Sequence, residues 1–517
     1  MYVNEQYYLY KIAYQLVTEM EFDILHIDSN NHEIWLEKYE DKLSKVVRLI
    51  HKGFDWKNHL KKDVAIVFQK TRNLKRFIRG KEIELHNIYV STYPPVDDWE
   101  LLKRPMKLKD KAKINMRVYY FDSNSNHEEL ERFQQQAGVK INLDGIALST
   151  YEQEKVTGDY KQFLIEKLTY RRNEVENIFT FGKPFFTYLI IALNIFMFIW
   201  LEVSGGSTQI DTLIDLGAKY NPGMIENNEW WRIITSMFLH IGILHLLMNL
   251  IAVYYLGTAV ERIFGKWRFL IIYLLAGIGG GLASFAFSTN ISAGASGAIF
   301  GLFGALLFFG TVYKQVFLQT IGTNIIAILA INLLLGFMVE QIDMAAHIGG
   351  LIAGFIASAI VNVPKKKQMK SRIIASIGYP LMLITLFLIG YYNNLHNQTY
   401  HLMKIEELLL ANNYTEVVEA ATDGLELEGD DEAILLFQRS YAYLKLGNIE
   451  KAITDLEEST TYNNAPSEAY FNLALLYYNQ GNIDRAAEYI AEAYKKDRSN
   501  PDYQKLYEEI TGKSVDK

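Results

Sequence analysis

Residues 292–301 read Ser292-Ala293-Gly294-Ala295-Ser296-Gly297-Ala298-Ile299-Phe300-Gly301 and open a long apolar run. Gly and Ala on one helix face let two membrane helices approach closely, and a lone serine among them is consistent with packing alone. Two other apolar runs alter that reading. One carries His245 and Asn249, the other Asp343 and His347, both in otherwise lipid-like sequence. Ionisable and polar groups in such surroundings are costly and point to function.

Working outward, seven apolar runs are long enough to cross a bilayer, which takes about 20 residues. They lie near 185–203, 236–257, 266–288, 294–312, 320–339, 344–363 and 372–392. The rest of the 517-residue chain is mixed and charged, with a formal net charge of −7 and no Cys. No long basic face exists, so no nucleic-acid partner is expected. The missing Cys excludes disulfides and Cys-ligated metal. The opening twenty residues are amphipathic and acidic, without the basic start and apolar run of a signal peptide.

The charges between the runs set the orientation. Arg171, Arg172 and Lys183 precede the first run, and Arg262, Lys266 and Arg268 fall between the second and third. Lys314 follows the fourth, and Lys365, Lys366, Lys367, Lys370 and Arg372 lie between the sixth and seventh. With seven spans all of these share one side, which is the cytoplasmic one. The opposite loops carry Glu202, Asp211, Asp215, Glu226, Glu229, Glu340 and Asp343, with Lys219 and Arg232 as their basic residues. A multi-pass protein of the cell membrane is expected, N-terminus cytoplasmic and C-terminus extracytoplasmic, in contact with the lipid bilayer.

That orientation puts Ser296, His347, His245 and Asn249 at one depth, just below the outer surface. His245 and Asn249 are four apart and share a helix face. A serine hydroxyl is a weak nucleophile until a base takes its proton. An oxyanion needs donors aimed at it, and apolar surroundings strengthen them. The set suits acyl transfer. Interhelical hydrogen bonding by buried His and Asn is the plainer alternative.

Four motifs carry a family likeness. Glu229-x-Trp231-Arg232, then His240-x4-His245-x3-Asn249, then Gly294-x-Ser296-Gly297, then Ala346-His347-x2-Gly350-x3-Gly354 occur in this order. Over about 185–363 the chain resembles the rhomboid intramembrane serine proteases, with a seventh span appended. The resemblance implies a polytopic α-helical membrane protein with a rhomboid six-helix core plus a seventh transmembrane helix, over residues 184–393. It implies Ser296 as nucleophile and His347 as general base, working as a dyad. His245 and Asn249, with the Ser296 N–H, would form the oxyanion hole. Gly350 and Gly354 would let the sixth span pack on the fourth, beside Gly294 and Gly297. Trp231 and Arg232 would anchor the first outer loop. Substrates would be transmembrane proteins cut near the outer membrane interface, with no metal and no cofactor. Asp343 is expected to mark the outer interface rather than to complete a triad. Phe300 stands where many members have Tyr, keeping an aromatic surface for the imidazole without the hydroxyl. The rivals are a rhomboid-like adaptor or pseudoprotease that binds membrane proteins without cutting, and a transporter or receptor. The presence of both Ser296 and His347 weighs against the first, and polar residues at a single depth against the second.

Residues 1–180 read as a soluble α/β domain of regulatory or interaction type. Strands are expected at 22–28, 33–38, 63–68, 85–90 and 114–121, with Ser29-Asn30-Asn31 turning the first pair into a hairpin. A long helix is expected at 154–179. Asp23, Asp28, Glu37 and Lys38 read as that hairpin's solvated face. His26, His32 and His51 lack metal-ligand spacing. Residues 399–517 show a period: Gly447-Asn448-Ile449-Glu450-Lys451-Ala452 recurs as Gly481-Asn482-Ile483-Asp484-Arg485-Ala486, with a weaker copy from Asn413 at the same spacing of 34. This resembles tetratricopeptide repeats and implies an all-α solenoid that takes membrane proteins or proteases as partners. On that modular view, truncation after about residue 395 leaves the chemistry intact.

Overall fold

The computed structural model describes every residue except 1, 76–77, 81, 110–112, 123–125, 144–148, 340, 367 and 514–517. Glu340 and Lys367, two of the orienting charges, therefore lie outside the described residues. The chain forms two compact units, 1–180 with 313–322, and 181–312 with 323–517.

The first unit is built on a sheet of six strands: β1 (Asp23–Asp28), β2 (Glu33–Glu40), β3 (Leu43–His51), β4 (Glu82–Val90), β5 (Met106–Lys109) and β6 (Lys113–Phe121). Its order is β1-β2-β3-β4-β6-β5. The first three strands are an antiparallel meander, β3, β4 and β6 run parallel, and β5 returns antiparallel on the edge. Helices α1 (Tyr2–Thr18), α3 (Asn126–Ala137) and α4 (Thr150–Phe179) cover one face around Leu9, Ile12, Leu49, Phe133 and Leu164. Helix α2 (Lys57–Leu74) covers the other with Leu60, Val64 and Val67. Apolar residues on both faces are what a buried parallel centre demands.

Two expectations need correction here, and β3 and β5 were not expected at all. Residues 63–68 are not a strand but the middle of α2, whose buried Leu60, Val64, Val67 and Thr71 recur at helical spacing. Strand β3 is unanticipated, because Lys45 and Arg48 interrupt its apolar pattern; Arg48 is buried against Glu33 at 2.6 Å. Glu37 is buried rather than solvated, accepting from Ser44 Oγ (2.6 Å) and Arg79 N (2.8 Å). The hairpin itself forms, its turn closed by Asp28 accepting from the Asn30 and Asn31 amides.

The second unit opens with α5 (Phe186–Ser204). A loop follows with three short helices, α6 (Ile210–Asp215), α7 (Asn221–Glu226) and α8 (Arg232–Thr235). Helix α9 (Gly242–Ala252) passes through a π turn at Val253–Gly257 into α10 (Thr258–Phe264). Then come α11 (Lys266–Phe287), α12 (Ser296–Val312), α14 (Gly322–Met338), α15 (Met344–Val361) and α16 (Met369–Leu395), while α13 (Lys314–Thr320), between α12 and α14 in the chain, belongs to the first unit. Among the described residues five helices are long and apolar enough to cross a membrane: α5, α9 through α10, α11, α15 and α16. A sixth is counted if α13 and α14 form one broken span, while α12 has 17 residues. The second apolar run begins later than expected, at Gly242, and reaches Phe264. Helix α16 continues through Pro380 without interruption.

Glu261 anchors this bundle. It is fully buried, and its carboxylate accepts from the Phe185, Phe186 and Thr187 amides (each 2.9 Å) and from Thr187 Oγ1 (2.7 Å). These are the unsatisfied donors of the α5 N-terminus, where negative charge is favoured. Four charge-assisted bonds offset the cost of burying the ion.

The C-terminal part is seven helices in sequence: α17 (Gln398–Leu410), α18 (Tyr414–Leu425), α19 (Glu432–Lys445), α20 (Ile449–Ser459), α21 (Ser467–Asn479), α22 (Ile483–Lys496) and α23 (Pro501–Thr511). Each packs on its chain neighbours. Asn413, Asn448 and Asn482 occupy the N-cap of every second helix. Each follows a residue with positive φ, namely Asn412 (56°), Gly447 (80°) and Gly481 (78°). The first interval is therefore 35, from Asn413 to Asn448, rather than the expected 34. Asn, which tolerates the left-handed region, stands in for Gly in the weaker copy.

Candidate active site

Ser296 is the first residue of α12 and is partly exposed. The segment before it is held from both sides. Gly294 N donates to Ser236 O (2.9 Å), and Ala295 N donates to His240 Nε2 (3.4 Å). This gives the buried His240 a duty that the sequence left open. Gly294 has φ +153°, a conformation that side chains rarely adopt. A Cβ there would stand 2.8 Å from His245 Cε1 and 3.8 Å from Ser296 Oγ. The imidazole of His245 and the serine hydroxyl thus converge on the space a side chain would fill.

The helix carrying Ser296 is pressed against α15 by small residues. A methyl on Gly350 would overlap Gly297 O, and one on Gly354 would overlap Gly301 O. A Cβ on Gly280 of α11 would lie 2.8 Å from Ala346 O and 3.3 Å from Gly297 Cα. The glycines of α11 therefore serve close packing. This three-way approach sets the first turn of α12 beside the first turn of α15, where His347 sits, as small-residue interfaces allow.

His347 is buried and stacks on Phe300, ring centroids 4.1 Å apart and planes 12° from parallel. Its Nδ1 has no hydrogen-bond partner among the described residues. Asp343 is committed elsewhere. Its carboxylate accepts from Ala346 N (2.9 Å), capping α15, and from the Ser284 hydroxyl. The aromatic face, rather than a carboxylate, orients the imidazole.

Asn249 is buried one turn below His245 on α9, and its Nδ2 donates to His245 O (2.9 Å). One amide N–H remains for other use. His245 and His240 meet edge to face at 5.4 Å. In the loop between α5 and α9 Trp231 is exposed, whereas Arg232 is buried. The Arg232 guanidinium donates to Ile214 O (2.5 Å), Ala218 O (3.1 Å) and Glu229 (2.6 Å). It ties the loop to itself, which a merely interfacial charge would not do. Lys219 is also buried, a feature the sequence did not disclose. Its Nζ donates to Ser288 O (2.7 Å), and its backbone pairs in both directions with Ser292, four residues before Ser296. Burial pushes the Lys219 ammonium down to about 8, with the nearby Asp343 opposing.

Residues 227–364 match the rhomboid domain family, and 437–501 match a tetratricopeptide repeat family. The chain is 35% identical to rhomboid protease GluP of Bacillus subtilis (strain 168) over 472 residues, covering 91% of this chain and 92% of the relative. It is 29% identical to rhomboid protease AarA of Providencia stuartii over 273 residues, 47% of this chain and 94% of that one. It is 43% identical to RHOMBOID-like protein 6, mitochondrial, of Arabidopsis thaliana over 155 residues, 29% of this chain and 50% of that one. With a likeness of that extent, and a serine-bearing helix set among apolar helices, the chain belongs to the rhomboid family of intramembrane serine proteases.

Proposed function

We propose that Ser296 is the nucleophile and His347 its general base, and that the enzyme cuts transmembrane proteins close to the outer membrane interface. The observation that carries this is the glycine seam. It brings the turn of α15 holding His347 against the turn of α12 that begins with a partly exposed Ser296. In the reaction Ser296 Oγ attacks the scissile carbonyl while His347 takes its proton. The oxyanion is met by the Ser296 N–H, the second amide N–H of Asn249 and His245, at a helix N-terminus that favours negative charge. His347 returns the proton to the leaving amine. Water then hydrolyses the acyl-enzyme through the same base. No metal or cofactor enters these steps.

The proposed layout is a cytoplasmic N-terminal domain (1–180), a seven-span protease domain (184–393) and an extracytoplasmic repeat domain (399–517). At 17 residues α12 is about 25 Å long, short of the roughly 30 Å hydrocarbon core. Its buried setting against α11 and α15 supports counting it, since a helix shielded by neighbours need not match lipid thickness. The basic loops on one side support the orientation. The C-terminal helices are read as a solenoid that recruits substrates or other membrane proteins, and the sheet domain as regulatory.

The test is cleavage of a co-expressed single-span reporter. Ser296→Ala and His347→Ala should each abolish product while the protein accumulates normally. Asn249→Ala should lower turnover by roughly 10²–10³-fold, the usual loss of one oxyanion donor. Undiminished cleavage by Ser296→Ala would refute the assignment.

A further inference from the structure

The repeat region is bonded to the loop that braces the nucleophile. Tyr400 of α17 donates to Glu226 Oε1 of α7 (2.7 Å), and Lys404 pairs with the same oxygen at 2.9 Å. Tyr220 donates back to Met403 O (3.1 Å), and Asn227 to Glu407 Oε1 (3.2 Å). Tyr220 and Tyr400 are both buried. One step inward, at the end of α16, Asn394 Oδ1 accepts from Asn221 Nδ2 (2.6 Å), and Asn394 Nδ2 donates to Phe285 O (2.9 Å). Asn221 donates also to Ser288 O (3.1 Å), the carbonyl that Lys219 holds. The Lys219 backbone pairs with Ser292, in the segment that leads to Ser296. Trp230 of the same loop packs on Phe285 and Phe387, at 5.2 and 5.0 Å between ring centroids.

We infer that α16 and α17 form a positioning clamp for the nucleophile, with Tyr400 and Asn394 acting through α7 on the 288–295 segment. Glu226 and Asn227 lie on the exposed rim, but the links from Tyr400 and Asn394 inward to Asn221, Lys219 and Ser288 are directional polar bonds that each involve a buried side chain, and such a network fixes geometry rather than only adding stability. A shift of about 1 Å at a reacting atom costs about 10²-fold, so a brace one loop away reaches the rate. The sequence alone led to the opposite expectation, that the chain beyond about 395 is detachable. The inference rests on Ser296 being the nucleophile.

Full-length Tyr400→Phe and Asn394→Ala are compared with wild type and Ser296→Ala in micelles, using a purified single-span reporter. The clamp predicts kcat lowered about fivefold or more in Tyr400→Phe and Asn394→Ala, with KM within about twofold of wild type. Tyr400→Phe keeps the ring and removes one hydroxyl, so it carries the test if Asn394→Ala does not fold. A folded Tyr400→Phe with wild-type kcat overturns the clamp. Activity in Ser296→Ala would instead overturn the nucleophile assignment beneath it.

Discussion

Ser296, His245, Asn249 and His347 were legible because each is a polar group in an apolar run, where it demands an explanation. Glu261, Lys219, Asn221 and Asn394 were not legible, although all four are buried. Their partners are in part backbone atoms tens of residues away, which no local pattern announces. Glu261 shows what is at stake. Its charge satisfies three amides and a hydroxyl that would otherwise face apolar surroundings at the head of α5. Glu261→Gln places an NH2 group against those donors. It should destabilise the protein by about 1–3 kcal/mol, the cost of leaving buried donors unsatisfied. Thermal unfolding in micelles reads this directly, and an unchanged melting temperature would remove Glu261 from the scaffold.

Helices of the bundle were easier to foresee than elements of the sheet unit. A 20-residue apolar run has one reading, whereas the apolar run at 63–68 fits strand or helix until the longer frame from Leu60 to Thr71 is considered. Strand β3 stayed hidden because a buried ion pair breaks its pattern. The packing of α12 on α15 was foreshadowed by Gly350 and Gly354, but the closeness of the contact comes from glycines on both sides of the seam. Gly350→Ala should therefore separate the two helices, cost about 1–3 kcal/mol through overpacking and abolish cleavage. Gly378→Ala, where nothing lies within 4 Å, is the matched control and should leave both unchanged. Equal behaviour of the two variants would contradict the seam.

Composition and period alone point to a sheet-forming N-terminal region, an apolar helical core and a helical C-terminal region, because each obeys a different spacing rule, whereas the fold gathers the last two into one compact unit. What composition hides is how the repeats join the bundle. Residues such as Tyr220, Glu226, Tyr400 and Lys404 look like ordinary solvent-facing side chains until the fold pairs them. Even the repeat register carried a one-residue difference, since Asn412 rather than Asn413 makes the left-handed turn. All of these features bear on one centre, and its chemistry is open to direct measurement. Purified wild type, Ser296→Ala and His347→Ala are exposed to a fluorescent fluorophosphonate, with folding checked by thermal melting. Labelling of wild type, lost in Ser296→Ala and reduced to background in His347→Ala, is the predicted result. Labelling that persists in a folded Ser296→Ala, or that is indifferent to His347, would contradict the dyad.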